Sequence, residues 1–310
     1  MSAARAPRVQ RRRLLGIVNP IAGRGAHERL RTQLGELAAR ADVTIETRAT
    51  ERAGHAAELA GQARSQGFDA VICCGGDGTV NETINGLGAG GLPLVVVPAG
   101  TGNALAREIG APHDPRGWAP ALRAWRLRTR DLGRMQDDRL FACFVGAGFD
   151  AECVREYREV RTGAIHPLRY MLMMRGIMNR SIARADFSTL ALTVDGAPAI
   201  DHGSYALVAI SPVFGGPIRF IRDALPADGR FDLIALTARV SHLIVWRMLA
   251  LGLFDWRPRQ LQRAQGARVA IATSERVPYQ VDGDFAGYLP IAMQIVPGGL
   301  TLVEPMRGAA

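Results

Sequence analysis

The segment GGDGT at residues 75–79 combines residue types that could bind a charged ligand. It follows an apolar run and precedes a helical pattern, so its glycines would let backbone N–H groups approach an anion at a helix start. Asp77 would repel a bare phosphate unless a metal ion or a hydroxyl lay between them. The segment therefore favours a magnesium nucleotide or a ribose; a tight turn without ligand is the alternative. Thr79, with Glu82 three residues later, predicts a capping box.

Two further segments repeat this arrangement. NPIAG at residues 19–23 and PAGTGN at residues 98–103 each follow an apolar stretch and contain glycine. Ligands of open parallel sheets bind beyond the carboxyl ends of the strands, so the three segments could converge on one ligand. None of them completes GxGxxG, and the sequence does not support a dinucleotide-dependent dehydrogenase.

VDGD at residues 281–284 offers two carboxylates late in the chain. Phosphoryl transfer depends on positioning, charge neutralisation and a carboxylate that takes the proton of the acceptor hydroxyl. Asp282 or Asp284 could supply that base. The similar pair Asp195 and Gly196 predicts an ordinary hairpin turn, and spacing alone does not distinguish the two places.

Lysine is absent from the sequence, and all 38 basic residues are arginine. This excludes a Walker A loop, a protein kinase and Schiff-base chemistry. Arginine or Mg²⁺ would have to neutralise a γ-phosphate. Arg24 is a candidate, although a solvated arginine is the preferred interpretation. The four cysteines form no CxxC pair and the six histidines no HExxH motif, which argues against zinc and redox sites.

The formal net charge is +9, and five arginines crowd the N-terminus: Arg5, Arg8, Arg11, Arg12 and Arg13. This arm could contact anionic lipid or remain solvated. No aromatic-rich basic face accompanies it, so we expect no nucleic-acid partner. The longest apolar stretch, residues 242–254, is too short to cross a bilayer and contains Arg247. We expect a cytoplasmic protein without a transmembrane segment or signal peptide, peripheral to the inner face of the membrane.

The elements that must position these segments differ between the two halves of the chain. Strand patterns at 14–18, 43–47, 68–74 and 92–97 alternate with helical patterns, including 54–65, 80–87 and 104–109. This order predicts a parallel sheet covered by helices on both faces. From about residue 130, period-2 segments predict antiparallel strands at 140–145, 189–194, 205–210, 231–236, 268–272 and 293–296, with helices at 167–178 and 242–254.

The four motifs NPIAG, GGDGTVNE, PAGTGNALAREIG and VDGD, in this order, resemble the bacterial diacylglycerol kinase and sphingosine kinase family of lipid kinases, within the diacylglycerol kinase catalytic domain superfamily. The similarity spans about residues 14–305. It implies an α/β fold: an N-terminal parallel-sheet nucleotide-binding domain, similar to NAD kinases and phosphofructokinases, and a C-terminal antiparallel β-sandwich. We expect domains at residues 1–130 and 131–296, with the tail 297–310 packing back on the first.

The resemblance also implies site residues. ATP contacts are implied at Asn19, Thr50, Gly75, Gly76, Asp77, Gly78, Thr79, Val80, Asn81 and Thr101. The magnesium-associated stretch matches Leu225, Asp228 and Arg230, with Ala227 where relatives often have a second acid. Asp131 matches an acid that links Asp77 to the metal region through water. The family motif DGE places its proton acceptor at Asp284, with Asp282 beside it.

The function implied is transfer of the γ-phosphoryl group of MgATP to a primary hydroxyl of a membrane lipid, such as diacylglycerol, in phospholipid metabolism. Sphingoid bases and ceramide are alternative acceptors. A soluble kinase of a dinucleotide or sugar shares GGDGT, and a nucleotide sensor without transfer would keep the glycine loops. A homo-oligomer stays open.

Overall fold

The computed structural model describes residues 11–22, 27–160, 175–177, 179–180, 189–214, 219–237, 241 and 261–306. The predictions made for Arg5, Arg8 and Arg24, for the helix at 242–254 and for most of the helix at 167–178 lie outside these residues.

Sixteen strands and six α-helices have both ends within the described residues. The helices are α1 (His27–Ala41), α2 (His55–Ala63), α3 (Asp77–Leu87), α4 (Ala104–Ile109), α5 (Ala119–Ala124) and α6 (Phe149–Val160). The strands are β1 (Arg13–Val18), β2 (Thr44–Ala49), β3 (Ala70–Gly75), β4 (Leu94–Pro98), β5 (Leu127–Met135), β6 (Leu140–Phe141), β7 (Phe144–Ala147), β8 (Leu190–Val194), β9 (Ala197–Gly203), β10 (Tyr205–Ala209), β11 (Phe231–Leu236), β12 (Leu261–Gly266), β13 (Arg268–Ala272), β14 (Pro278–Val281), β15 (Asp284–Tyr288) and β16 (Ile291–Val303).

The N-terminal strands lie parallel in the order β2-β1-β3-β4, which confirms the predicted parallel sheet. Successive side chains of a strand point to opposite faces, so the apolar runs of β1 and β3 serve two cores. Leu15 and Cys73 pack on the face covered by α2 and α3. Leu14 and Cys74 pack on the other face, against α1. Burial on both faces explains why these strands are continuously apolar, and it holds their carboxyl ends rigidly side by side.

Strand β16 joins the two halves of the molecule. It pairs parallel with β4 through Leu302 and Leu94, and antiparallel with β5 and β13, so that one sheet of ten strands runs through both halves. A second sheet, with the order β12-β11-β10-β7-β14-β15, is antiparallel and packs on the first. The predicted C-terminal β-sandwich is confirmed. The division at residues 130 and 131 stays a prediction, as does the placement of the tail.

The predicted strand at residues 140–145 was wrong in its continuity. The structure has β6 and β7 there, in different sheets. The backbone N–H groups of Ala142, Cys143 and Phe144 donate to the carboxylate of Asp282 instead of to a neighbouring strand. Because these three N–H groups bind a side chain, they do not pair with a neighbouring strand, and the predicted strand is interrupted between β6 and β7. Among the described helices, none is long and apolar enough to cross a membrane.

Candidate functional site

The first two predicted loops are bound together at the carboxyl ends of β1 and β3. The Asn19 amide Nδ2 donates to Thr79 Oγ1 at 2.9 Å, and the backbone N–H of Asn19 donates to the carbonyl of Cys74 at 3.0 Å. Gly75 is required here, because a Cβ at this position would lie 2.5 Å from the Cβ of Thr79. Asn19 therefore fixes the first turn of α3 relative to β1.

The capping box predicted for Thr79 and Glu82 was wrong. Helix α3 begins at Asp77, which places Thr79 inside the first turn, and Gly76 stands at the N-cap position. The hydroxyl oxygen of Thr79 accepts the side-chain amide of Asn19. Glu82 Oε2 accepts the N–H of Ala56 at the start of α2, at 3.3 Å. Partners from distant parts of the chain have replaced the local pairing.

The carboxylate of Asp77 caps the helix on the neighbouring loop. Its Oδ2 accepts the N–H of Asn103 and its Oδ1 the N–H of Ala104, both at 2.7 Å. Asn103 is in the left-handed region, with φ 51°, and turns its own side chain back to Gly100. Burial raises the pKa of Asp77, and the two N–H donors act against this shift. Asp77 thus binds GGDGT to the loop at 98–103; its implied contact with ATP stays a prediction.

The two loops approach so closely that glycine is needed on both. A Cβ at Gly100 would lie 2.6 Å from the Cα of Gly76, and a Cβ at Gly102 would lie 2.5 Å from Asp77 Oδ2. The glycines therefore serve loop-to-loop packing as well as any approach to phosphate. Thr101 lies exposed between them, at the tip of the loop.

We predict that Gly100→Ala weakens ATP binding by about tenfold or more, equivalent to about 1.4 kcal/mol, because the added methyl forces the two loops apart. Gly35→Ala is the matched control: a Cβ at Gly35, inside α1, meets nothing within 4 Å. Titration calorimetry with ATP measures both variants. Equal affinity in the two variants would show that the packing of the loops does not shape the nucleotide site.

The late motif forms a tight turn between β14 and β15, with Asp282 at φ 50° and Gly283 at φ 86°. Asp282 Oδ1 accepts the N–H groups of Cys143 and Phe144, and Oδ2 accepts those of Ala142 and the Asn81 side chain, at distances from 2.8 to 3.1 Å. Desolvation raises the pKa of Asp282 and the four donors oppose it. Because Asn81 belongs to α3, this carboxylate connects the parallel-sheet half directly to the sandwich.

Asp284 lies exposed at the start of β15, directly above the first turn of α3. Its Oδ2 is 3.4 Å from the position that a Cβ on Gly78 would occupy. The structure therefore brings together GGDGT and the late aspartate, which are separated by about two thirds of the chain. A Cβ at residue 78 would be in van der Waals contact with this carboxylate, so Asp284 lies close to the helix start.

The other residues for which ATP contacts were predicted differ in how far they are buried. Thr50 follows β2, is half-buried and donates its N–H to the carbonyl of Val18 at 2.9 Å. Val80 has its side chain in the core, so only its backbone could meet a ligand. These assignments stay predictions.

The region implied for magnesium is an exposed loop held by Asp131. The buried carboxylate of Asp131 accepts the N–H of Gly229 at 2.7 Å and that of Gly298 at 2.8 Å. Asp228 is exposed and accepts the N–H of Arg230. The described residues contain no group of three His, Cys, Asp or Glu side chains placed to hold a metal. One carboxylate and the carbonyl oxygens of Leu225 and Arg230 nevertheless fit the hard-oxygen chemistry of a largely hydrated Mg²⁺.

Sequence reasoning missed the polar groups buried behind the site. Arg130 Nη1 donates to Glu108 Oε1 and Nη2 to the carbonyl of Ala142, both at 2.6 Å. This pair connects α4 to the segment that binds Asp282. Its members are far apart in the sequence and form no pattern, so nothing in the sequence pointed to the contact.

Comparisons with known proteins agree with this architecture. The family descriptions "Diacylglycerol kinase catalytic domain" and "YegS C-terminal NAD kinase beta sandwich-like domain" match residues 13–135 and 143–304. A diacylglycerol kinase of Mycobacterium tuberculosis is 28% identical, over 99% of this chain and 100% of that protein. A diacylglycerol kinase of Bacillus subtilis is 28% identical, over 88% and 90%. A crystal structure of a diacylglycerol kinase from Bacillus anthracis superimposes with a TM-score of 0.72 at 21% identity, covering 94% of this chain and 96% of that chain.

Family matches to both halves, in the same order and together covering nearly all of the described chain, agree with the motifs recognised in the sequence. The relatives named as kinases match along most of their own length, so the similarity covers both halves of the molecule. The chain belongs to the diacylglycerol kinase-like family of lipid kinases.

Proposed function

We propose that the protein transfers the γ-phosphoryl group of MgATP to a primary hydroxyl of a membrane lipid such as diacylglycerol. The observation that carries this proposal is the position of Asp284 over Gly78, which places a carboxylate from the sandwich above the start of a glycine-rich helix in the other half. A phosphoryl donor held by the helix start and an acceptor hydroxyl reaching Asp284 would meet beside this contact.

The nucleotide would lie along the carboxyl ends of β1, β2, β3 and β4. Helix starts and glycine loops present backbone N–H groups to phosphate, which assigns the triphosphate to residues 75–81 and to Thr101. Asn19 and Thr50 would border the nucleoside side. Arg107 lies in α4, directly after the loop, and its Nε donates to the carbonyl of Gly102 at 2.8 Å. It would supply the positive charge that lysine supplies in other phosphate sites.

Asp284 would act as the general base. The acceptor oxygen forms its bond to the γ-phosphorus as the bond from that phosphorus to the bridging oxygen of ADP breaks, and the hydroxyl proton passes to Asp284. Asp282 is assigned to positioning, because its oxygens already accept four N–H groups. Magnesium would neutralise charge on the phosphates, with Asp228 and the carbonyls of Leu225 and Arg230 as its protein oxygens.

The net charge of +9 supports docking at an anionic membrane surface, and we propose that the lipid is taken from the cytoplasmic leaflet.

A second candidate function is phosphorylation of a soluble molecule such as NAD. It is favoured by one observation: the family description that matches the sandwich half calls it NAD kinase-like.

Transfer of labelled phosphate from ATP tests the proposal. The acceptors are diacylglycerol, a sphingoid base, ceramide and phosphatidylglycerol in mixed micelles, with NAD as the soluble acceptor. We expect label on a lipid, an increase in rate when anionic lipid is added to the micelles, and none on NAD. Label on NAD alone would replace the lipid kinase by the second candidate; label on no acceptor would contradict both.

A further inference from the structure

A chain of buried polar side chains lies directly behind the turn that carries Asp284. Gln280 of β14 is 1% exposed, Asp150 at the start of α6 is 8% exposed and Tyr205 of β10 is 2% exposed. Gln280 Nε2 donates to Asp150 Oδ2 at 3.0 Å, and Gln280 Oε1 accepts the N–H of Gly283 at 2.8 Å. Tyr205 lies close to Asp150, and its hydroxyl favours the ionised form of that carboxylate by lowering its pKa. The chain ends on Gly283, the residue before Asp284.

The direction of these hydrogen bonds is fixed by chemistry. An ionised carboxylate only accepts, so Asp150 requires the NH₂ side of the Gln280 amide. The carbonyl oxygen of that amide must then face the turn, where the N–H of Gly283 needs an acceptor. Burial raises the pKa of Asp150 to about 6, so at pH 8 the group is ionised and acts only as an acceptor. Asp150 thereby selects one of two amide orientations that otherwise have the same shape.

Packing shows that room has been left for this arrangement. Gly146 of β7 pairs with Gln280, and a Cβ at Gly146 would lie 1.9 Å from Asp150 Oδ2 and 2.7 Å from Gln280 Nε2. Any other residue would displace the carboxylate or the amide. A buried carboxylate costs free energy of desolvation. Asp150 is stabilised by hydrogen-bond donors, the amide of Gln280 and the backbone N–H of Ala151.

We propose that Asp150 is a positioning residue that acts through Gln280 to hold the turn at residues 282–284, and with it the direction of the Asp284 carboxylate. The effect of Asp150 on catalysis rests on the proposed function. Its effect on the conformation of the turn rests on the geometry alone. Asp150 lies behind the turn and does not touch the reacting groups.

Exchanging donor and acceptor groups between Asp150 and Gln280 tests the proposal. In Asp150→Asn, the amide oxygen would keep the N–H of Ala151, which places the NH₂ group of Asn opposite Gln280 Nε2. The Gln280 amide must then turn, and its own NH₂ faces the N–H of Gly283. In Gln280→Glu, two carboxylates face each other. The double variant Asp150→Asn/Gln280→Glu restores a donor and an acceptor at both contacts with the charge unchanged. The hydrogen bond between residues 150 and 280 is reversed, and the N–H of Gly283 still donates to residue 280. The Tyr205 hydroxyl can donate or accept, so it suits both directions.

We expect each single variant to lower kcat by about 10- to 100-fold, as a displacement of about 1 Å would, with the KM for ATP unchanged. The double variant should recover most of the lost kcat. Asp195→Asn is the control, since Asp195 accepts backbone N–H groups beside an equivalent Asp-Gly turn, exposed and in the other sheet. Single variants with wild-type kcat, or a folded double variant that recovers nothing, would overturn the proposal.

Hydrogen exchange at the Gly283 amide gives a readout that needs no activity. Exchange should be faster in both single variants and return to the wild-type rate in the double variant, with melting temperatures reported alongside. If the wild type phosphorylates no acceptor but exchange follows this order, the proposed function fails and the positioning role stands. Unchanged exchange in folded single variants would refute the positioning role even for an active kinase.

Discussion

The Asp284→Asn variant should bind ATP as the wild type does and transfer phosphate about 100- to 10,000-fold more slowly, the range typical for the loss of a general base. The amide has the shape of the carboxylate but cannot take the acceptor proton. The side chain is exposed at the start of β15, so its replacement should not disturb the core. Steady-state kinetics with the preferred lipid, together with calorimetry for ATP, measure the two effects separately.

Two companion variants sharpen this result. Asp284→Glu retains a carboxylate and should keep kcat within about tenfold of the wild type, because glutamate is the proton acceptor at this position in the family motif DGE. Asp201→Asn removes an exposed carboxylate on the edge strand β9 and should leave kcat unchanged. If Asp284→Asn turns over at the wild-type rate, another group takes the proton and the assignment of the base is wrong.

The Asp282→Ala variant should lose at least about 3 kcal/mol of stability, the largest effect on folding that we expect from one side chain of the site. The substitution leaves the N–H groups of Ala142, Cys143 and Phe144 without their acceptor, and each unsatisfied buried donor costs about 1–3 kcal/mol. It also breaks the bond to Asn81 that joins the two halves. Urea unfolding followed by circular dichroism measures the loss.

A matched control is built into the chain. Asp195 occupies the same kind of turn, with φ 51°, and accepts the N–H groups of Ala267 and Arg268, but at an exposed position. Asp195→Ala should cost less than about 1 kcal/mol, since water replaces the lost acceptor. Equal losses in the two variants would show that the Asp282 contacts do not exceed those of an ordinary turn.

The comparison of these two turns shows where prediction from sequence succeeded and where it could not. The strand and helix order of the N-terminal half was predictable, because buried strands and amphipathic helices leave their periods in the sequence. The turn at Asp195 and Gly196 was predictable from its local pattern. The backbone of Asp282 and Gly283 is almost the same, so the difference lies only in the partners, which come from residues 81 and 142–144.

Long-range partners account for the other differences as well. Asp77 was interpreted as a group facing the ligand, and that contact stays a prediction; in the structure its oxygens also cap α4 from the adjoining loop. Thr79 was predicted to cap its own helix, and it accepts from Asn19. The segment at 140–145 has the alternating pattern of a strand, yet the backbone N–H groups of residues 142–144 donate to Asp282. In each case a short polar side chain had a local and a distant partner available, and the fold decided between them.

The structure of the protein with Mg²⁺ and a non-hydrolysable ATP analogue tests most directly whether Asp284 faces the nucleotide. We expect a triphosphate against the first turn of α3, with its terminal phosphorus facing Asp284 and room for one hydroxyl group between them. A nucleotide bound elsewhere, or one whose terminal phosphate points away from Asp284, would contradict it.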